Sequence, residues 1–274
     1  MPSCEEVPDS SSKTLASNRS LNIALLGYRS NPYSGGQGIY LRYLARALTN
    51  AGHKVDVISG EPYPVLDAGI NLIKLPGLNL FAEEKPFQAL KWRHLLSATD
   101  LFEWLSFNSG GFPEPYTFGR RLLRHLQRYG CHYDVIHDNQ SLAPALLTLQ
   151  RRGLPVVSTI HHPITYDRAI ALAHEKNWGM RLLIKRWHMF LRMQIRVAKK
   201  LRNIVTVSEN SKADISEDFA VAAERLTVVY NGVDCTTFAP RSDVSREPMH
   251  LITTPAPISH SKVHATFWKR WRYS

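Results

Sequence analysis

The feature that most constrains this chain is a recurring unit: a short apolar run, a turn former, then a stretch with helical spacing. Residues 21–27 (LNIALLG) are continuously apolar and stop at a glycine, the pattern of a strand buried on both faces. A turn-rich loop follows, and residues 39–50 then place Tyr40, Leu41, Leu44, Ala47 and Leu48 at helical spacing before Gly52 closes the helix. Residues 54–59, 70–75, 134–137, 155–160, 203–207 and 226–230 read as further strands, with helical stretches near 142–152, 181–202 and 211–219. Such alternation predicts an α/β fold, a parallel sheet with helices on both faces. Ligands of these sheets sit at the carboxyl ends of the strands, which singles out the residues just after each strand. Residues 81–129, rich in aromatics and interrupted by SGGFPEP, fit less well and read as a helical insertion over the sheet's edge.

Charge is concentrated rather than general. Lys plus Arg number 34 against 23 for Asp plus Glu, a formal +11. Nine of the basic residues fall between 176 and 208 with no acid among them, and four more fall after Met249, again with no acid. Localised patches of this kind suit a localised anionic partner. On a helical wheel Arg181, Lys185, His188, Arg192, Arg196 and Lys199 form one stripe, with Leu183, Trp187, Phe190, Leu191, Ala198 and Leu201 opposite. Two readings of the stripe stand together: a contact with anionic lipid head groups, and a plainly solvated cationic face. There is no recognised nucleic-acid module and no aromatic stacking platform, so nucleic acid is not an expected partner.

Cys4, Cys131 and Cys235 are odd in number and far apart, so they form neither a disulfide framework nor a zinc site, and a reducing cytoplasm is the plain reading. Residues 1–20 are polar and Ser-rich, without the apolar core of a signal peptide, and read as a disordered lead-in. No run of about 18 apolar residues reads as a membrane span. The expected location is cytoplasmic, with peripheral attachment to the inner membrane face if the basic stripe meets lipid.

Gly35, Gly36 and Gly38 lie between the first strand and the first helix. Glycines there let backbone N–H groups approach a phosphate at a helix N-terminus; equally, they serve a tight turn that needs positive φ. The spacing is neither G-x-G-x-x-G nor a Walker loop. A dinucleotide enzyme would also want an acidic residue ending the second strand, which instead closes as VISG. Asp138 and Asn139 follow the fourth strand (VIHDNQ) and either orient acceptor hydroxyls or form a solvated loop. Asn231 and Gly232 read first as turn chemistry.

Four segments in order resemble the family-4 retaining glycosyltransferases: SGGQGIYLRYL (34–44), VVSTIHHP (156–163), VSENSKADI (207–215) and VVYNGVD with Phe238 and Pro240. The resemblance covers residues 20 to 241. It implies the first, acceptor-side half of a GT-B fold, a Rossmann-like domain that faces a second across a cleft. It implies that Gly35, Gly36 and Gln37 meet the donor's phosphate or sugar, joined by Asn231 and Gly232. His161 would hydrogen-bond the sugar near the reacting centre, where an imidazole can donate or accept near neutral pH; its other reading is a capping histidine at a strand end. His162, pointing elsewhere, goes with Asp138 and Asn139 on the acceptor side. The expected reaction is transfer of a sugar from a nucleotide-sugar donor to an acceptor hydroxyl, the acceptor a sugar or a lipid-linked one. The donor enters as substrate, so no cofactor or metal is called for. The alternative is a non-catalytic domain that binds an acceptor or an anionic membrane surface.

In the family, the second domain grips the departing diphosphate with a basic pair and a Glu-x7-Glu motif. The chain's own Glu209 and Glu217 have that spacing but precede the interdomain run, so they are not that motif. Residues 242–274 open like a strand (MHLIT) and then lose all period, which predicts a broken reading frame near Thr254; a genuine basic tail is the other reading. On this view the chain alone is inactive or nearly so.

Overall fold

The structure is a computed structural model that describes residues 19–33 and 36–239. Gly35, most of the lead-in and the whole of the 242–274 tail lie outside the described residues.

Among the described residues seven strands form a single parallel sheet: β1 Asn22–Gly27, β2 Lys54–Ser59, β3 Asn71–Lys74, β4 Val135–Asn139, β5 Val156–Ile160, β6 Asn203–Thr206 and β7 Leu226–Val228. Their order is β3-β2-β1-β4-β5-β6-β7. The sheet therefore grows outward from β1 in one direction, and the chain then returns to β1 and grows in the other. This reversal leaves a crevice at the carboxyl ends of β1 and β4, where ligands of open parallel sheets bind.

The continuous apolar run of β1 is explained by its two faces. Ile23 and Leu25 join Leu41, Ala45, Val55 and Val57 beneath helix α1 (Gln37–Asn50). Ala24 and Leu26 point the other way, into a larger core with Phe118, Leu122, Ile136, Leu146 and Phe219. Leu25, Leu26, Ile58, Ile136 and Ile160 are wholly buried, each contributing about 1.5–3 kcal/mol of apolar transfer. The outer strand β3 has no fully buried residue, as befits an edge.

Helices α2 (Trp92–Leu95), α3 (Ala98–Asn108) and α4 (Glu114–Tyr129) occupy the segment read as an edge insertion. The expectation needs correcting for α4, which is the crossover from β3 to β4 and packs on the sheet through Phe118, Leu122 and Leu126. Helix α5 (Pro144–Arg151) follows β4, and α9 (Glu209–Phe219) follows β6, capped by the Ser208 hydroxyl accepting from Ser211 N at 3.1 Å.

The helix expected over 181–202 is two. Helix α7 (Trp178–Trp187) ends at His188, and α8 (Phe190–Ala198) begins at once. At the junction Met189, Leu191 and Arg192 donate to carbonyls three residues back rather than four, and the His188 ring bonds the Ile184 carbonyl at 2.7 Å. The proposed apolar side divides accordingly. Ala198 and Leu201 reach the sheet core and Leu191 is buried, Trp187 packs edge-on to Phe81 and tilted against Phe112, Phe190 packs edge-on to Phe112, and Leu183 is 46 % exposed. A further helix, α6 (Thr165–His174), was not anticipated. Among the described residues no helix is long and apolar enough to cross a membrane.

Candidate active site

The loop after β1 and the start of α1 form one wall of the crevice. Gly36 sits at the helix N-cap with φ 74°, and a Cβ built there meets nothing within 4 Å among the described residues. The positive φ satisfies the turn reading, while the open space leaves the backbone approachable. Gly38 is the position that packing makes a glycine: a Cβ would lie 2.4 Å from the Asn31 carbonyl oxygen and 2.5 Å from that of Ser30. Gln37 hydrogen-bonds the Tyr28 hydroxyl, and burial pushes that phenol up to about 12.

The neighbouring strand ends hold a connected polar set. In register, Asn139 pairs with Thr159 across β4 and β5. Asn139, 1 % exposed, donates its Nδ2 to the Gln37 carbonyl at 3.2 Å and turns its Oδ1 to His161 Nε2 at 2.7 Å. With the amide oriented by Gln37, His161 is the donor in that contact, so its proton is on Nε2 and Nδ1 is left as an acceptor. The His161 main-chain N–H bonds Gln140 Oε1 at 2.9 Å, and Gln140 Nε2 bonds the His162 carbonyl at 2.9 Å. Tyr40, from the second turn of α1, lays its ring edge-on to His161 with centroids 4.7 Å apart. Its hydroxyl is 3.2 Å from Thr159 Oγ1, which His137 Nε2 also meets at 2.7 Å.

Electrostatics keep this set neutral. Burial, and secondarily the nearby His162, lowers His161 to about 4; burial, and secondarily His161, lowers His137 to about 4. Neither imidazole carries charge at neutral pH.

Asp138 takes neither of its two expected roles. It is fully buried, with its oxygens bonded by the Ser141 hydroxyl, Leu142 N at 3.1 Å and the Ser158 hydroxyl at 2.8 Å. Burial raises its pKa against the pull of those bonds. It ties the β4 turn, in which Gln140 and Leu142 hold positive φ of 55° and 48°, and so fixes the backbone that carries Asn139.

Asn231 and Gly232 are exposed and line, with Gly36, Tyr40, Tyr43 and Arg46, an open groove of about 700 Å³ between α1 and the segment after β7. The structure therefore gathers Gly36, Asn231 and Gly232 along one groove, with Tyr40 in its wall and His161 and Asn139 directly behind Tyr40. His162 stands apart, its imidazole side chain 61 % exposed and 3.7 Å from Asp167. Of the basic stripe, Lys185, Arg192, Arg196 and Lys199 are exposed. Arg181 is half-buried and bonds the Leu172 and Glu175 carbonyls.

Below the β1 loop, Arg29 meets Glu114 at 2.9 Å and lies 4.6 Å over the Phe81 ring. Burial, partly offset by Arg29, raises Glu114 to about 7. Next to it Arg121 bridges Asp100 and Glu103, each at 2.5 Å.

Tyr40, Gln140, Thr159 and His137 were not singled out in the sequence. The available signal was positional: all but Tyr40 lie within two residues of the end of β4 or β5, which the sheet brings side by side.

The family model of Glycosyltransferase Family 4 matches residues 34–237. The chain is 45 % identical over 222 residues to an MMP alpha-(1->4)-mannosyltransferase of Mycolicibacterium hassiacum, covering 81 % of this chain and 54 % of that protein. It is 26 % identical over 209 residues to a glycogen synthase of Mycobacterium tuberculosis, covering 73 % of this chain and 45 % of that one. The chain thus spans about half the length of the curated relatives it matches. Among solved structures, WaaG, a glycosyltransferase involved in lipopolysaccharide biosynthesis, aligns over 77 % of this chain and 45 % of its own at 16 % identity and TM-score 0.47. The catalytic domain of starch synthase IV from Arabidopsis thaliana aligns over 82 % of this chain and 54 % of its own at 14 % identity and TM-score 0.47.

Proposed function

This chain belongs to glycosyltransferase family 4, and from that premise we propose that its crevice is the acceptor-side half of a site for retaining transfer of mannose from a nucleotide-sugar donor to a hydroxyl of a mannose-containing acceptor. The sheet is Rossmann-like, which supports reading the chain as the N-terminal half of a GT-B architecture. The observation that carries the proposal is the Asn139–His161 pair at 2.7 Å, held behind the groove wall where Gly36 leaves the backbone open.

In the transfer, the bond from the anomeric carbon to the diphosphate oxygen breaks while the acceptor oxygen bonds to that carbon. The acceptor's proton leaves with the diphosphate. His161 takes part as a hydrogen-bonding neutral imidazole, its Nδ1 accepting from a sugar hydroxyl beside the reacting carbon. A charged imidazolium would have no lone pair there, and the lowered pKa preserves that lone pair well below neutral pH. Gly36 admits the donor through its main chain, and Asn231 and Gly232 close the far wall of the groove. The match covers 54 % of the mannosyltransferase relative, so the reaction is tested with the remainder of that length supplied.

The test is transfer from nucleotide-activated mannose to an α-(1→4)-linked mannooligosaccharide, run with the chain joined to the unmatched half of the mannosyltransferase relative. Elongation by one mannose that falls by about 100-fold or more in His161→Ala supports the proposal. Saturable acceptor binding with no elongation in either protein would favour a non-catalytic acceptor-binding domain instead.

A further inference from the structure

A second concavity, of about 290 Å³, lies where α6, α7 and α8 meet, and its lining is cationic: Arg168, Lys185, Arg186, Arg192 and His188, with two apolar side chains between them. Among the described residues no carboxylate lines it. Elsewhere in this protein clustered arginines have acids to match, Arg42 and Arg46 on Asp67, Arg121 on Asp100 and Glu103. Here, among the described residues, none of the four lining cations, nor His188, is ion-paired.

The charges are also positioned. Arg186 is anchored from behind, its Nη2 donating to the Ser106 and Ser109 hydroxyls at 3.2 and 2.9 Å, which fixes the guanidinium but leaves its charge uncompensated. The Nε of Arg168 is buried with no hydrogen-bond partner among the described residues, an unusual state for a strong donor. His188 sits in the break between α7 and α8, its Nδ1 donating to the Ile184 carbonyl. That break turns what would be a flat stripe on one straight helix into a hollow, with Lys185 before it and Arg192 after it.

We propose that this pocket is a binding site for a phosphate monoester. Several guanidinium forks and an ammonium converging on one hollow match the charge and the bidentate geometry of a tetrahedral phosphate. The volume, near the lower end of small-molecule sites at roughly 300 Å³, admits the phosphate and part of what it is esterified to. The source is either a soluble phosphorylated sugar or a phospholipid head group. The site is independent of the sugar-transfer reading, because it uses none of the residues assigned to the groove.

Inorganic phosphate is titrated into the 274-residue chain by calorimetry at constant ionic strength, with chloride as the reference anion. Three proteins are compared: wild type, Lys185→Ser/Arg192→Ser, and Arg196→Ser/Lys199→Ser. Both variants remove two exposed positive charges from the same region, but only the first touches the pocket. Lys185 and Arg192 make no side-chain hydrogen bond within the described residues, so their loss leaves the thermal midpoint unchanged. The expected result is saturable phosphate binding weakened about tenfold or more by the pocket variant, ~1.4 kcal/mol, and unchanged in the other. Sedimentation with phosphatidylcholine vesicles containing phosphatidic acid identifies the source. Pocket-dependent sedimentation marks a lipid head group, and pocket-dependent phosphate binding without sedimentation marks a soluble ester. Equal losses in the two variants would show a diffuse electrostatic attraction and overturn the proposal, as would phosphate binding no stronger than chloride.

Discussion

Replacing Glu114 by Gln tests how the loop that leads into the groove is held. Glu114 lies in the first turn of α4, 9 % exposed, paired at 2.9 Å with Arg29 just after β1. Burial raises its carboxyl from 4.5 to about 7. A carboxylate with a raised folded-state pKa favours folding most when protonated: its contribution is fully present below pH 4.5 and is lost as pH rises through 7. At ~1.4 kcal/mol for each tenfold in the proton equilibrium, the wild type should lose about 2–4 kcal/mol across that window relative to a protein without the group. His137 and His161 act oppositely, losing stability as pH falls from 6.5 toward 4, so the wild-type curve alone would conceal the effect. The difference between wild type and Glu114→Gln cancels them. Urea unfolding followed by tryptophan fluorescence at several values between pH 4.5 and 8 gives that difference. It should shift by about 2–4 kcal/mol in favour of the variant as pH rises. A pH-independent difference would refute the argument, because it would mean the carboxyl titrates alike in the folded and unfolded chain.

Three further outcomes follow from the geometry. Gly38→Ala forces a Cβ against two carbonyl oxygens and should cost about 2–3 kcal/mol, whereas Gly36→Ala, with open space but positive φ, should cost about 1–2 kcal/mol; denaturant midpoints rank them. Asn139→Ala leaves the Gln37 carbonyl and His161 Nε2 without their partner. It should lower stability by about 2–3 kcal/mol and move the His161 ring nitrogen resonances away from the Nε2–H tautomer. His137→Gln should shallow the acid limb of stability by about 2 kcal/mol between pH 6.5 and 4.5, measured by thermal melts; an unchanged limb would show that His137 titrates normally in the fold.

The sheet was legible from short apolar, β-branched segments, clearest in β1, which is buried on both faces and reads as an unbroken apolar run, while β2, β4 and β5 interrupt theirs with Asp56, His137 and Ser158. Strand lengths were overcalled at the outer strands, where residues 70–75 and 226–230 shorten to Asn71–Lys74 and Leu226–Val228. Helix α4 was hidden because its N-terminus is a Pro-rich turn, Pro113 to Pro115, and because Glu114 is a carboxylate at a buried position. The break after Trp187 carries no Pro or Gly and depends on the His188 ring competing for the Ile184 carbonyl, which periodicity does not register. In the site, the strand-end rule singled out Asn139 and the family resemblance His161, each by itself. Their pairing is a property of register, Asn139 beside Thr159, and no single strand contains it. Asp138 was misjudged for a related reason: an Asp after a strand suggests a wet loop, yet here Ser141, Ser158 and a main-chain N–H close around it.

The central claim is that sugar meets this chain at the crevice beside His161. The most direct measurement is a nuclear magnetic resonance titration of the chain with an α-(1→4)-linked mannooligosaccharide, following the His161 imidazole and the Gly36 amide. The account requires saturable shifts at both, with one common affinity, and little change at the α7–α8 pocket. Saturable binding that moves other residues while His161 and Gly36 stay still would contradict it.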